Sequence, residues 1–152
     1  MTMRSYRRVV TGLNADGKSC VLIDGPVPKD QANTSLIWRT ETLPADNSGK
    51  ADPWVPFSHE LLTCPGSRFI LAQMPAGATG ETYMHATNTI DYLVVLEGEV
   101  VLVLETGEVR LKQGDLIVDR GVLHGWRNDG SDPAAFISIM LPAHPVGAGE
   151  MV

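Results

Sequence analysis

Cysteine is scarce in this chain. Only Cys20 and Cys64 occur among 152 residues, a lone pair that provides neither a disulfide framework nor a zinc-ligand spacing. Both are expected as free thiols, with Cys20 a small apolar side chain among Val21, Leu22 and Ile23. Long apolar runs are also missing. The longest, 92–96 and 100–104, fall far short of the ~20 residues needed to cross a bilayer, so no membrane partner is expected. The opening stretch MTMRSYRRVVTG has basic residues but no apolar segment behind them, which argues against a standard secretion signal and for the cytoplasm. Basic residues are outnumbered, 12 Lys and Arg to 18 Asp and Glu, for a net charge of −6. A chain so charged offers nucleic acid no long-range attraction, and the cluster Arg4, Arg7 and Arg8 reads as structural. Helical periodicity is hard to find. There is no phosphate loop, no Gly-x-Ser-x-Gly nucleophile turn and no dinucleotide fingerprint, which removes several enzyme classes.

What is present is ordinary globular material, 43% hydrophobic and 20% charged, of a length that suits one domain with a real core. Fifteen glycines and ten prolines punctuate short β-branched runs, the pattern of an all-β sandwich or barrel. Residues 7–11 and 19–24 flank the turn Asn14-Ala15-Asp16-Gly17 and predict an N-terminal β-hairpin arm. A strand is expected at 35–42. Residues 43–65, rich in Pro, Asn, Ser and Gly, read as a loop over the barrel, with a helical turn near 59–62. Eight strands then follow at 68–74, 82–87, 91–96, 99–105, 108–111, 115–119, 124–128 and 134–141, the density of a jelly roll. Gly98, Gly107, Gly114, Gly121 and Gly130 are each expected to hold a positive-φ turn, joining a meander of hairpins closed into a barrel. The organisation expected is arm and loop over 1–66, barrel core over 67–142 and a tail over 143–152. Runs such as 92–96 and 100–104 are apolar on both faces, so a second surface should cover the barrel wall. A homodimer, bridged by the hairpin arm, is the expected cover.

Two motifs stand in order along the barrel segment. The first is Gly80, His85, Thr87, Asp91 and Gly98; the second is Gly114-Asp115, Gly121, His124 and Asn128. With these the sequence resembles the cupin superfamily, in particular its small single-domain members. The resemblance implies a cupin jelly-roll β-barrel and a divalent transition metal, Fe, Mn, Ni or Zn, held by three histidines and a glutamate. His85, Asp91 and His124 occupy three of those four positions. Thr87 stands where the second histidine would be, and Asp91 is one methylene shorter than glutamate. No organic cofactor is implied.

Two imidazoles and a carboxylate make an open ligand set suited to Fe(II) and to other divalent ions. The competing interpretation is a hydrogen-bonded polar core built from the same three residues. Strand parity places Thr87 and Tyr83 on the face of His85, and Trp126 and Asn128 on the face of His124, so these four are the expected walls of a small-molecule pocket. For Trp126 core packing, the commoner fate of an aromatic on an apolar strand, is the favoured reading over a pocket wall, and Arg127 and Tyr92 should face away. Arg120, before the second motif, is a candidate for pairing with a substrate carboxylate, and His59 and His144 read as exposed loop histidines. Three functions fit: a metal-assisted enzyme on a small organic acid, aromatic or polyketide-like compound; a metal-free isomerase, cyclase or decarboxylase; and a binding module without chemistry.

Overall fold

The computed structural model describes residues 3–29 and 33–146. Strands β1 (Arg7–Leu13) and β2 (Ser19–Pro26) form the expected hairpin, and β3 (Thr34–Arg39) follows it. A single 3-10 turn, His59–Leu62, interrupts the proline-rich loop. The barrel strands are β4 (Arg68–Met74), β5 (Thr89–Glu97), β6 (Glu99–Leu104), β7 (Gly107–Lys112), β8 (Leu116–Asp119), β9 (His124–Arg127) and β10 (Ala134–Pro142). One sheet has the order β3-β4-β10-β5-β8 and the other β7-β6-β9. This is a jelly roll, not a meander: β10, the last described strand, inserts between β4 and β5 and so closes the wall that the middle strands began. The strand expected at 82–87 reduces to one bridge, His85 opposite His124. Gly98, Gly107, Gly114 and Gly121 hold positive φ as expected. Gly130 does not; its turn is held by the Asn128 side chain, which accepts from the Gly130 N–H at 2.9 Å.

Residues directly opposite on paired strands share a face, so the register fixes what lies inside. Arg68, Met140, Asp91 and Asp119 form one row across β4, β10, β5 and β8. Ile70, Ser138, Leu93 and Ile117 form the next, and Ala72, Phe136 and Val95 the third. The interior therefore grades from charged at one end to apolar at the other. Leu93, Val95, Val100, Ala134 and Phe136 are the core of the apolar end. Leu36, Leu61, Leu62, Ile70 and Met140 form a second cluster, against which Trp54, Val55 and Phe57 of the proline-rich loop pack, so that loop is part of the fold. Outside the sheet, Tyr6 and Val27 flank the hairpin and pack with Leu71, Ala135 and Ile137. Arg7 pairs with Asp24 and Arg8 with Asp52, which gives these two basic residues the structural role expected of them. Both cysteines are free. No described helix is long and apolar enough to cross a membrane.

Candidate functional site

A cavity of about 340 Å³ runs between the two sheets. His85, Thr87, Asp91, His124, Trp126 and Tyr83 all line it, as strand parity requires. Two glycines make this packing possible. A Cβ on Gly125 would lie 2.4 Å from the Thr82 side chain and 2.9 Å from the Tyr83 carbonyl, so only glycine lets the 82–85 segment lie on β9 and present Tyr83 and His85. Gly121 has φ of +73°, and a Cβ there would meet the Thr87 and Thr89 carbonyls at 2.7 and 2.9 Å. It thereby holds the turn after β8 against the start of β5.

The two histidines are neighbours, with ring centroids 4.4 Å apart. Each is tethered through Nδ1. In His85 that nitrogen lies 3.3 Å from the Tyr83 carbonyl. In His124 it lies 2.9 Å from the Val122 carbonyl and 2.7 Å from Asp119 Oδ2. The N–H axis favours Val122, and the Asp119 oxygen meets the same nitrogen off that axis as an ion pair, its own hydrogen-bond geometry left incomplete. Both tethers leave Nε2 as the nitrogen available to a ligand. Asp119 is anchored in turn by the N–H groups of Gly121 and Val122.

The environments push the two imidazoles in opposite directions. Burial, and then the charge of His124, lower the His85 pKa below its ordinary value. Burial also opposes charge on His124, but the hydrogen-bonding and Coulombic pull of Asp119 outweighs it and the net shift is upward. Asp119 goes the other way: burial would raise it, and the His124 contact with two backbone N–H groups lowers it. Asp91 is pushed up to about 6, by burial and by the neighbouring Asp119, against the Thr89 hydroxyl, His124 and Arg68. Its Oδ2 is 3.5 Å from the Ser138 hydroxyl and its buried Oδ1 has no hydrogen-bond partner.

The geometry does not assemble the expected ligand set. Among the described residues no three His, Cys, Asp or Glu side chains are grouped so as to hold a metal ion. His85, Asp91 and His124 share the cavity, yet the carboxylate that meets an imidazole is Asp119. Thr87 does not fill the missing place, since its hydroxyl is shared with Thr89 at 2.7 Å. Asn128 is a correction. Expected as a pocket wall, it is fully buried and donates to the carbonyls of Met74, Pro75 and Asp132, so it clamps two turns together. Arg120 and His144 are exposed and do not line the cavity. Trp126 does both things weighed for it, lining the cavity and packing on Phe136 at 4.6 Å.

Two residues were missed. In sequence Asp119 is the end of the expected strand 115–119, although it shares parity with inward Ile117 and stands two residues before a turn glycine. His59, read as a loop histidine, is exposed yet borders the cavity mouth, 6.0 Å from the Tyr83 ring. No spacing signal could have placed it, because its position follows from how the proline-rich loop packs.

Known proteins resemble this chain in sequence and in fold. A family model described as a cupin domain, Cupin_2, matches residues 70–140. Phomopsin biosynthesis cluster protein C' of Diaporthe leptostromiformis is 39% identical over 95% of this chain and 82% of its own length. The cupin-domain-containing oxidoreductase srdD of Neurospora crassa is 30% identical over 99% of this chain and 83% of its own. A solved structure of a putative ethanolamine utilization protein Q from Salmonella typhimurium superposes with a TM-score of 0.50 at 12% identity, covering 93% of this chain and all of that one, a likeness of fold alone. With relatives matched nearly end to end and the jelly roll in place, the chain belongs to the cupin family.

Proposed function

We propose that the chain is an enzyme that moves a proton on a small molecule held in the barrel, with His85 and His124 as the exchanging groups. The observation that carries this is the pair of imidazoles 4.4 Å apart in one cavity, with His124 anchored on buried Asp119. A neutral His85 takes a proton from the substrate through Nε2, and a charged His124 returns one from its own Nε2 to another substrate atom. The substrate leaves as its isomer, and exchange with solvent resets both rings. Paired groups whose surroundings drive their pKa values apart suit acid and base roles. Asp119 touches no substrate in this scheme; it is a positioning residue whose ion pair favours the charged form of His124. Relatives named for biosynthesis clusters support a biosynthetic step on a small molecule.

The test uses 2-tetralone, a two-ring ketone with exchangeable C–H bonds, in deuterated buffer. Wild-type protein is expected to accelerate deuterium uptake beside the carbonyl, and His124→Gln to lose about 10²-fold of that acceleration. Asp119→Asn should move the pH profile of the exchange to lower pH. Uptake no faster than with free imidazole, or undiminished in His124→Gln, overturns the proposal.

A second reading has its own support. Both Nε2 atoms are left free by Nδ1 tethers, the usual outer-shell arrangement for metal-bound histidine, and srdD is named as an oxidoreductase. In that reading His85 and His124 hold a divalent ion, with Asp91 the remaining expected ligand. Stoichiometric metal retained after loading and desalting, and lost in His85→Ala, would favour it. We also propose that the chain pairs with a second copy of itself.

A further inference from the structure

We infer that the cavity takes a flat, ring-sized apolar molecule bearing a neutral hydrogen-bond donor, a hydroxyl or an amine, at one end, and that it rejects the matching carboxylate. This rests on the barrel cavity being the substrate site, though not on the proton chemistry.

The donor is called for by Asp91. Asp91 is 7% exposed and lines the cavity, and its Oδ1 has no partner. An ionised carboxylate can only accept, and a buried acceptor left unmet carries an uncompensated desolvation cost. A ligand O–H or N–H reaching Oδ1 would recover that cost. A ligand carboxylate would instead meet Asp91 and, directly opposite it on β8, Asp119.

The nearby cations do not rescue an anion. His124 is already paired with Asp119. Arg68 lies in the same row beyond Met140, and its guanidinium donates to the carbonyls of Leu62, Cys64 and Gly66. Arg68 does not line the cavity, so its Nε, buried and also without a partner, is not presented to a ligand there.

The flat body is called for by the rings. Aromatic side chains follow one another along the cavity from its mouth inward: His59 to Tyr83 at 6.0 Å, Tyr83 stacked on His85 at 5.5 Å, His124 to Trp126 at 5.8 Å and Trp126 to Phe136 at 4.6 Å. Charged groups lie at one end of this series and Trp126 with Phe136 at the other, so a ligand enters with a fixed polarity, ring toward Phe136 and donor toward Asp91. Ring faces and edges of this kind favour planar apolar partners, and a cavity of about 340 Å³ holds one or two fused rings.

Calorimetric titration at pH 8 with 2-naphthol, 2-naphthylamine and 2-naphthoate tests this on the full chain. The alcohol and the amine should bind at least about tenfold more tightly than the acid. Asp91→Asn should shrink the gap between alcohol and acid to within about threefold, with the fold checked by circular dichroism. Trp126→Phe should weaken all three alike. Equal or tighter binding of naphthoate, a gap unchanged in Asp91→Asn, or no binding by any of the three overturns the inference. If naphthol preference holds while 2-tetralone exchange fails, only the proton chemistry falls.

Discussion

The two faces of the five-stranded sheet are inverted relative to a simple soluble protein. On the inner face Arg68 is 2% exposed and Asp91 7%, with Asp119 and Ser138 buried beside them. On the outer face of the same strands Val118 is 59% exposed and Leu116 76%, with Tyr92 and Ile139 also open. Strand alternation makes such an exchange possible, because neighbours in sequence point to opposite faces. Burying polar groups costs stability and exposing apolar ones gains none. The inner anomaly accompanies the cavity, and the outer one leaves an apolar surface open. Part of that outer face is already covered within the chain by Tyr6 and Val27; the part around Tyr92 and Val118 is bare.

The largest effect should come from the apolar end of the interior, which follows ordinary packing rules. Phe136 is buried against Trp126 with Val95 and Leu93 around it, so Phe136→Ala should cost about 3 kcal/mol, measured by urea unfolding at pH 7. A loss below about 1 kcal/mol would mean the apolar end is loosely packed and the cavity has no fixed floor.

At the charged end the sign should reverse. Asp91 has an ordinary value of 3.8 and is pushed up to about 6 in the folded chain. The fold therefore binds its proton more tightly than the unfolded chain does, and ionising it costs stability as pH rises from about 4 to about 6. The cost is complete above pH 6 and absent below pH 4. Asp91→Asn should accordingly gain about 1–3 kcal/mol at pH 8 and nothing at pH 3.5. A variant less stable than wild type at pH 8 would show that the buried carboxylate is satisfied and that the two ends of the cavity do not differ.

Much of this contrast was legible beforehand. Glycine spacing and β-branched runs marked the barrel strands, and parity placed His85, Thr87, His124 and Trp126 inside and Tyr92 and Arg127 outside. What parity cannot supply is which inward side chains meet across strands. Asp119 lies opposite Asp91 only because β8 pairs with β5, and nothing along the sequence states that pairing. The same gap let Asn128 pass as a pocket residue: its parity was right, but its amide is consumed by carbonyls from β4 and the turn before β10. The place of β10 between β4 and β5 was equally hidden, since it is a matter of long-range closure and not of local turns.

The smallest effect on the stability of a single chain is expected on the outer face, where it is also the most informative. Ile139, Tyr92 and Val118 stand in one row across β10, β5 and β8, and β8 is an edge strand. Val9, Leu13 and Val21 of the hairpin are exposed as well, so one chain carries two bare apolar surfaces that a second copy would cover together. Val118→Lys adds a charge at the edge-strand end of the row while leaving the interior untouched. Unfolding of the isolated chain should change by no more than about 0.5 kcal/mol. In sedimentation at micromolar concentration, wild type should run as a dimer and the variant as a monomer, because an ammonium buried between two apolar faces has no partner. Deleting residues 3–26 should weaken the dimer if the hairpin is part of the contact. A wild-type monomer would remove the second copy altogether, and a dimer indifferent to Val118→Lys would move the contact off this face and leave its exposure without a structural purpose.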